Sequence, residues 1–472
     1  MDKRVRIIES TWWKKMSFIF FLMLCFLLPI GTSLRFLTPW SIVDGQILDV
    51  TTFFIYVTDL LVVLVLVFWL IDILVKFWRY QDWDDWQIGV WPGVALVLFW
   101  ILALLASYSI FWSYNGSMAF YHVLRLWAIF FLLAYILLAI GASGEKWQSI
   151  GKFVVGSVLI QSVWGIVQYW RQADLGLWWL GESHLGKDVL GVAKVDVAGE
   201  KIVRAYGSLG HANVYSFLML LGLILILGGI IYFGRDTQQR ARTNEYMWGI
   251  ILGIISIGCL VGYSRSVWVA GVVVMIGFVV EYYGRGTLQR ARTDAIIDIK
   301  FWIVFLLIMV TGIISNWSVV WTRLISGESL GGDVSFNVRV FLSQAADWII
   351  DKVYYVGVGI GNFVMVLPLY SSDLSWWMYQ PVHNVFKLIW AELGVIGFGL
   401  YVLLILTVGL SIIFSQVKNY PKYFWLSVFL AVVWLHFFDH YLWDVWAGQL
   451  IFVFLLGMIL SLSQNSKVKS QI

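Results

Sequence analysis

Trp376 to Gly394 reads WWMYQPVHNVFKLIWAELG, and it marks the border where a polar, aromatic loop gives way to an apolar helix. The loop runs through Pro381 into His383 and Asn384, and the apolar helical pattern follows at once. His383 and Asn384 stand where a helix N-cap falls, since a short polar side chain there accepts from the first free backbone N–H groups. An imidazole held at such a border, at a membrane surface, is a candidate general base. The plainer reading is a turn and cap carrying an idle histidine. What the rest of the chain places opposite His383 decides between them.

The chain has 472 residues, of which 61% are hydrophobic, 18% aromatic and 13% charged, with a mean hydropathy of +0.83. Soluble domains carry about 25% charged residues. Half that charge, spread over many long apolar runs, describes a polytopic membrane protein. Only 6 Pro and as many as 29 Trp fit helices with aromatic belts at the lipid interface. A net charge of +4 is too small to point to nucleic acid. Cys25 and Cys259 both lie in apolar runs and suit neither a disulfide framework nor a metal site. The basic flank Lys3, Arg4, Arg6, Lys14 and Lys15, followed by an apolar run from Met16 with no small-residue cleavage pattern, reads as a first spanning helix rather than a removed signal peptide.

A span needs about 20 apolar residues. Runs of that length begin near Met16, Thr52, Ile88, Ala119, Lys152, Asn213, Tyr246, Ser266, Phe301, Asn384, Tyr423 and Gly448. They predict roughly 12 transmembrane helices in one all-α membrane domain covering the whole chain. The short even-numbered connectors hold Lys76 and Arg79, Lys146 and Lys152, Arg235 to Arg242, Arg285 to Arg292, and Lys418 with Lys422. The positive-inside rule makes these cytoplasmic and places both termini inside, in agreement with Lys467 and Lys469 in the tail. The odd-numbered connectors then face outward. Two of them are long, 171–212 and 317–383, and their Trp, Tyr and apolar pairs predict ordered structure on the outer face.

The segment from Gly234 to Asn244, GRDTQQRARTN, recurs fifty positions on as GRGTLQRARTD from Gly284 to Asp294. The flanking helices do not repeat, so this is a pair of basic cytoplasmic loops suited to anionic lipid headgroups rather than a repeat fold.

Charge at membrane depth costs about 2.5–3.5 kcal/mol per group, so the positions of charged residues carry information. Arg265, in GYSRSVW, sits in a hinge between two spans on the predicted outer face, where positive charge is not favoured. Arg204, in VRAYGSLGHAN, closes the first long loop, with Gly207 and Gly210 permitting tight turns and Asn213 able to cap the next helix. Arg339, in FNVRVFLSQA, opens an amphipathic stretch of the second. Three guanidiniums and His383 thus converge on one face, and arginine grips phosphate oxygens bidentately without losing its charge. The set fits a site for an anionic phosphate group.

His436, Asp439, His440 and Asp444 follow on the same side. Spacings of three and four put His436, Asp439 and His440 on one helical face. A metal would need about four ligands and this cluster offers three, so a helix-end hydrogen-bond network, with a carboxylate orienting an imidazole or an arginine, is the favoured reading. His122 and Arg125 stand near an outer helix start and are read as snorkelling; Asp59 and Asp72 carry no assigned role. No P-loop, dinucleotide fingerprint or zinc-hydrolase motif is present. The glycine run Gly357 to Gly361 has no strand–helix frame and is not read as a nucleotide loop.

In order, RAYGSLGHAN (204–213), YSRS around Arg265, NVR ending at Arg339, VGVGIGNF (356–363), His383-Asn384 and ELGVIG (392–397) resemble the O-antigen ligase and O-antigen polymerase-like superfamily over roughly residues 200–400. The resemblance implies a GT-C-like glycosyltransferase of the bacterial cytoplasmic (inner) membrane, with an undecaprenyl-diphosphate-linked glycan as donor and an extracytoplasmic active site. Carried over by motif, Arg204, Arg265 and Arg339 would bind the diphosphate, His383 would be the base, and Asp439 would match a further acidic residue. No cofactor or metal is then required, a single displacement would invert the anomeric centre, and the acceptor would be a glycolipid, glycan or protein hydroxyl. A ligase is the leading expectation; a polysaccharide polymerase or a protein O-oligosaccharyltransferase is the alternative. A lipid-linked-glycan flippase would show two related halves and charges along a path across the membrane. This chain shows no halves and gathers its charges on one face. Glu392 and Gly394, deeper in the helix after His383, are expected to serve packing.

Overall fold

The structure, a computed structural model, describes residues 3–80, 88–233, 245–284, 299–325, 334–417 and 420–464. The duplicated basic segments and the basic tail fall outside the described residues.

Each apolar run forms a helix. In chain order these are α1 (Lys3–Leu27), α2 (Val57–Tyr80), α3 (Val90–Tyr108), α4 (Gly116–Tyr135), α5 (Gly144–Arg171), α6 (Ala212–Phe233), α7 (Glu245–Val261), α8 (Arg265–Gly284) and α9 (Ile299–Ser315). Three more, α13 (Val385–Ile413), α14 (Lys422–His436) and α15 (Trp446–Leu462), close the bundle. Among the described residues, 7 helices are long and apolar enough to cross a membrane, or 8 if the bent pair α9 and Trp317–Ile325 counts as one span. The segment Val57–Trp78 has a hydropathy of 2.8 yet only 22% of its best window is buried by protein. An apolar helix that faces outward over most of its surface is made for lipid. α6 and α15 form the centre: α15 packs on α3, α4, α6 and α13, and nearly all of its side chains are buried.

The helices between the long runs are α10 (Trp317–Ile325), bent by 79° from α9, α11 (Val334–Lys352) and α12 (Phe363–Tyr370). Helix is not the only structure present. β1 (Ser33–Phe36) pairs with β4 (Phe53–Tyr56), β2 (Ile42–Val43) with β3 (Gln46–Ile47), and β5 (Lys194–Val197) with β6 (Glu200–Val203), all antiparallel. The second helix therefore begins at Val57 rather than near Thr52. The run TTFFIY is apolar but β-branched and aromatic, the composition that favours an extended strand.

Arg125 is not a snorkelling residue. It is buried in α4 and paired with Asp59 of α2 at 3.2 Å; it donates to Phe54 O at 2.7 Å and lies over the rings of Tyr121 and Trp446 at 4.7 and 4.6 Å. It ties α2, α4 and α15 to the β1–β4 ribbon.

The 171–212 loop is ordered by buried carboxylate and amide groups. Glu182 accepts from Trp164 Nε1 at 2.9 Å, Gln168 Nε2 at 2.7 Å, and the backbone N–H groups of Leu175 and Leu177 at 2.8 and 2.7 Å.

α13 is broken at Gly394, whose φ of 66° and ψ of −174° are non-helical. The glycine run lies in that break, with Val358 N donating to Ala391 O at 3.0 Å, Gly359 N to Glu392 O at 2.9 Å, and Val395 N to Tyr354 O at 2.9 Å. The run is a backbone splice that satisfies groups freed by the break.

Candidate active site

Two glutamines on α5 build the turn that follows Arg204. Gln168 Oε1 accepts from the N–H groups of Tyr206 and Gly207 at 3.1 and 2.8 Å, and Gln161 Oε1 accepts from Ser208 N at 2.9 Å. Gly207 has φ +61°, and a side chain there would collide with Gln161. This turn delivers Arg204 to the hinge between α7 and α8. Ala205 N donates to Val261 O at 3.1 Å, and Arg204 Nε donates to Gly262 O at 2.7 Å. The hinge residue Tyr263, left-handed at φ 45°, donates through its hydroxyl to Tyr169 at 3.0 Å. Arg265 begins α8 two residues after it and is exposed. A cation at a helix N-terminus is electrostatically disfavoured, which points away from a merely structural reason for an arginine there.

Arg204 is buried, and its Nη2 donates to Asn213 Oδ1 at 2.6 Å. Asn213 Nδ2 in turn donates to Asp439 Oδ2 at 2.5 Å. Asp439 Oδ1 accepts from the backbone N–H of His440 at 2.9 Å. Burial lowers Arg204 to about 10, against Tyr206 and Asp439, with Arg339 and Arg265 adding to the shift. The side chain stays charged at neutral pH, and both Arg339 and Arg265 act on it.

His383 lies two residues after Pro381 and directly before the cap of α13. Asn384 is the N-cap, its side chain accepting from Lys387 N at 3.0 Å. Lys387 reaches back to α11, donating to Ser343 Oγ at 2.8 Å and Asp347 Oδ1 at 2.7 Å. The helix that carries Arg339 is thereby held against the one that follows His383. The imidazole of His383 meets that of His440 edge to face, ring centres 5.1 Å apart. Two buried nitrogens in this cluster, His383 Nδ1 and Arg339 Nε, have no hydrogen-bond partner among the described residues. Such groups cost about 1–3 kcal/mol each unless something satisfies them.

Burial pushes His383 down to about 3; Asp439 opposes this, while His440, Arg339 and His211 reinforce it. It is neutral at physiological pH. Burial alone would raise Asp439, but His440, His383, His211 and Arg339 outweigh it and hold the carboxyl at about 2. Burial would lower His440, yet Asp444 and Asp439 together raise it, against Arg339. His440 Nδ1 is bonded to Asp444 Oδ1 at 2.8 Å.

Arg204, Arg339, His383 and Asp439 are thus brought together, with Arg265 within electrostatic reach of Arg204. His436 is not part of the group. It is fully buried between α13 and α14, with Nε2 bonded to Tyr401 OH at 2.7 Å and Nδ1 to Val432 O at 2.7 Å. α14 ends at His436, so the i, i+3, i+4 face on which His436, Asp439 and His440 were grouped does not exist. The three residues that do approach one another with ligand-type atoms are His383, Asp439 and His440, all within 4.8 Å.

One residue of the cluster had no role read from sequence. His211 Nδ1 accepts from Asn213 N at 3.1 Å; burial lowers its pKa to about 4, and its protonated form would lower the proton affinity of both His383 and Asp439. Its signal lay in its place two residues before Asn213, at the mouth of α6. Glu392 is buried as a structural acceptor, taking Trp443 Nε1 at 3.0 Å and Phe363 N at 3.4 Å. No family model matches the chain, and no curated protein matches it.

Proposed function

We propose that this protein is a membrane glycosyltransferase that moves a glycan from an undecaprenyl-diphosphate-linked donor to an acceptor hydroxyl at the extracytoplasmic face. The observation that carries the reading is the juxtaposition of a neutral imidazole, His383, with Asp439 and Arg339, beside a buried Arg204 on which Arg339 and Arg265 both act. Every apolar helix from α1 to α9 and from α13 to α15 is taken as a span, in the manner of a GT-C-like enzyme.

In the reaction His383 accepts the proton of the acceptor hydroxyl as its oxygen attacks the anomeric carbon. The bond from that carbon to the diphosphate oxygen breaks and the diphosphate leaves with the electron pair, so the centre inverts. Arg204, Arg265 and Arg339 stabilise the charge on the departing group, and the imidazolium that forms is stabilised by Asp439. A pKa near 3 makes the free imidazole a weak base. Burial is the main cause of that depression; a diphosphate beside Arg339 offsets the guanidinium's field and adds negative charge nearby, both of which raise His383 from this value.

A ligase is the leading form, with a polymerase or a protein O-oligosaccharyltransferase using the same donor chemistry as alternatives. Charges gathered at one end, rather than along a path, favour an enzyme over a flippase. The deciding experiment uses purified protein in detergent, where transport has no meaning, and a synthetic lipid-diphosphate-linked oligosaccharide. Glycan transfer is expected, falling by about 10²–10⁴-fold in His383→Gln, with donor binding weakened in Arg204→Gln and Arg339→Gln. Undiminished transfer by His383→Gln removes the base assignment, and absence of transfer to lipid, glycan and peptide acceptors alike removes the function.

A further inference from the structure

We propose that His383, Asp439 and His440 bind a divalent transition-metal cation of the Zn²⁺ type, and that an ion seated there takes His383 out of proton transfer. The second clause rests on the glycosyl-transfer reading; the first does not. One ligand-type atom from each of the three residues lies within 4.8 Å of the other two. Tetrahedral zinc, with bonds of about 2.0–2.1 Å, spaces its ligand atoms about 3.3 Å apart, so small side-chain rotations close the site.

The supporting contacts are those of a metal site. His440 directs Nδ1 to Asp444 Oδ1 at 2.8 Å, which leaves Nε2 on the side of Asp439, 3.9 Å from Oδ1. A carboxylate bound to the far nitrogen is the arrangement that orients ligating histidines and raises their basicity. Asp439 is itself fixed by Asn213. His383 contributes a ring whose Nδ1 is buried without a partner. Three protein ligands from two separate loops leave a fourth position open, and two imidazoles with one carboxylate suit zinc rather than the all-oxygen coordination of calcium or magnesium. Against the ion stands the guanidinium of Arg339 on α11, whose charge acts on all three ligands. Asp439 and Asp444 counter it, so the site is a reversible one rather than a structural zinc of the closed type.

Full-length protein in detergent, stripped with chelator and dialysed against Zn²⁺, is expected to retain one ion per chain by elemental analysis. Asp444→Asn is expected to weaken retention by about 10–100-fold, and His440→Ala to abolish it, with thermal unfolding used to confirm that each variant is folded. Wild-type retention by a folded His440→Ala protein, or no retention by the wild type, overturns the site. In the transfer assay Zn²⁺ is expected to inhibit the wild type, reversibly by chelator, while His440→Ala transfers glycan and ignores the ion. Undiminished transfer with the site saturated overturns the coupling. Retention of Zn²⁺ without glycan transfer under any condition sinks the glycosyl-transfer reading and leaves the metal site standing; transfer without retention does the reverse.

Discussion

The side chain of Asn213 joins Arg204 to Asp439, its oxygen accepting from the guanidinium at 2.6 Å and its NH₂ donating to the carboxylate at 2.5 Å. An amide carries an acceptor oxygen and a donor NH₂ on one neutral group, so it can face a cation and an anion at once. Asn213→Ala strands both charges in a buried place, at a cost of about 1–3 kcal/mol or more. Asn213→Asp keeps the pairing with Arg204 but sets two carboxylates against each other. Both variants are expected to lower the melting temperature and to reduce glycan transfer, Asn213→Asp raising the proton affinity of the carboxylate pair. Unchanged melting curves for both would show that the bridge is not a structural tie.

The break in α13 depends on Gly394. Its φ of +66° lies in the left-handed region, and a Cβ there would run into the carbonyl oxygen of Tyr355. Gly394→Ala meets both penalties, and backbone strain alone is of order 1–3 kcal/mol. The expected result is a lower melting temperature and loss of the splice with Gly357–Gly359, read as faster amide hydrogen exchange at Val395. A variant as stable as the parent would mean that the helix straightens freely.

His383 predicts a pH effect whose sign follows from its depressed pKa. The folded protein holds the imidazole neutral down to about 3, against an ordinary value of 6.5. Between those values the unfolded chain binds the extra proton, so stability rises with pH across that window and is progressively lost as the pH falls through it. His383→Gln removes that dependence. In chelator-containing buffer the wild type should therefore lose more melting temperature than His383→Gln between pH 6.5 and pH 4. Parallel losses would place the imidazole in a wetter setting.

The pair Arg125–Asp59 makes a prediction independent of the site. Breaking a buried ion pair from one side costs about 3–5 kcal/mol, whereas replacing both partners with apolar or neutral groups is often near neutral. Arg125→Met is expected to destabilise strongly, and Arg125→Met with Asp59→Asn to recover much of the loss. Detergent-solubilised yield and melting temperature distinguish this from a snorkelling arginine, for which the single change would have little effect.

Much of the architecture was legible because hydrophobic length is a one-dimensional property. A run of apolar residues with no internal partner for its backbone groups becomes a helix in lipid whatever surrounds it, so the starts near Asn213, Tyr246 and Phe301 agree with α6, α7 and α9 to within two residues, whereas α5 begins at Gly144, eight residues before Lys152. Asn384 as the cap before Val385 was legible for the same reason, since capping is local. The strand Phe53–Tyr56 was not, because apolar content alone does not separate an extended run from a helical one.

What the sequence determined by itself is the identity of the groups: an apolar chain, outlying arginines at 204, 265 and 339, and a histidine at the mouth of a helix. What only the tertiary structure decided is which of them meet. His436 is separated from Asp439 and His440 because α14 ends beneath them and turns its last imidazole toward Tyr401. His383 takes its place, with His211 and Asn213 brought alongside from more than 220 residues before Asp439. Spacing along a chain fixes neighbours only while a helix lasts; beyond its end, packing of distant segments selects them, and here that selection makes the polar cluster around Asp439.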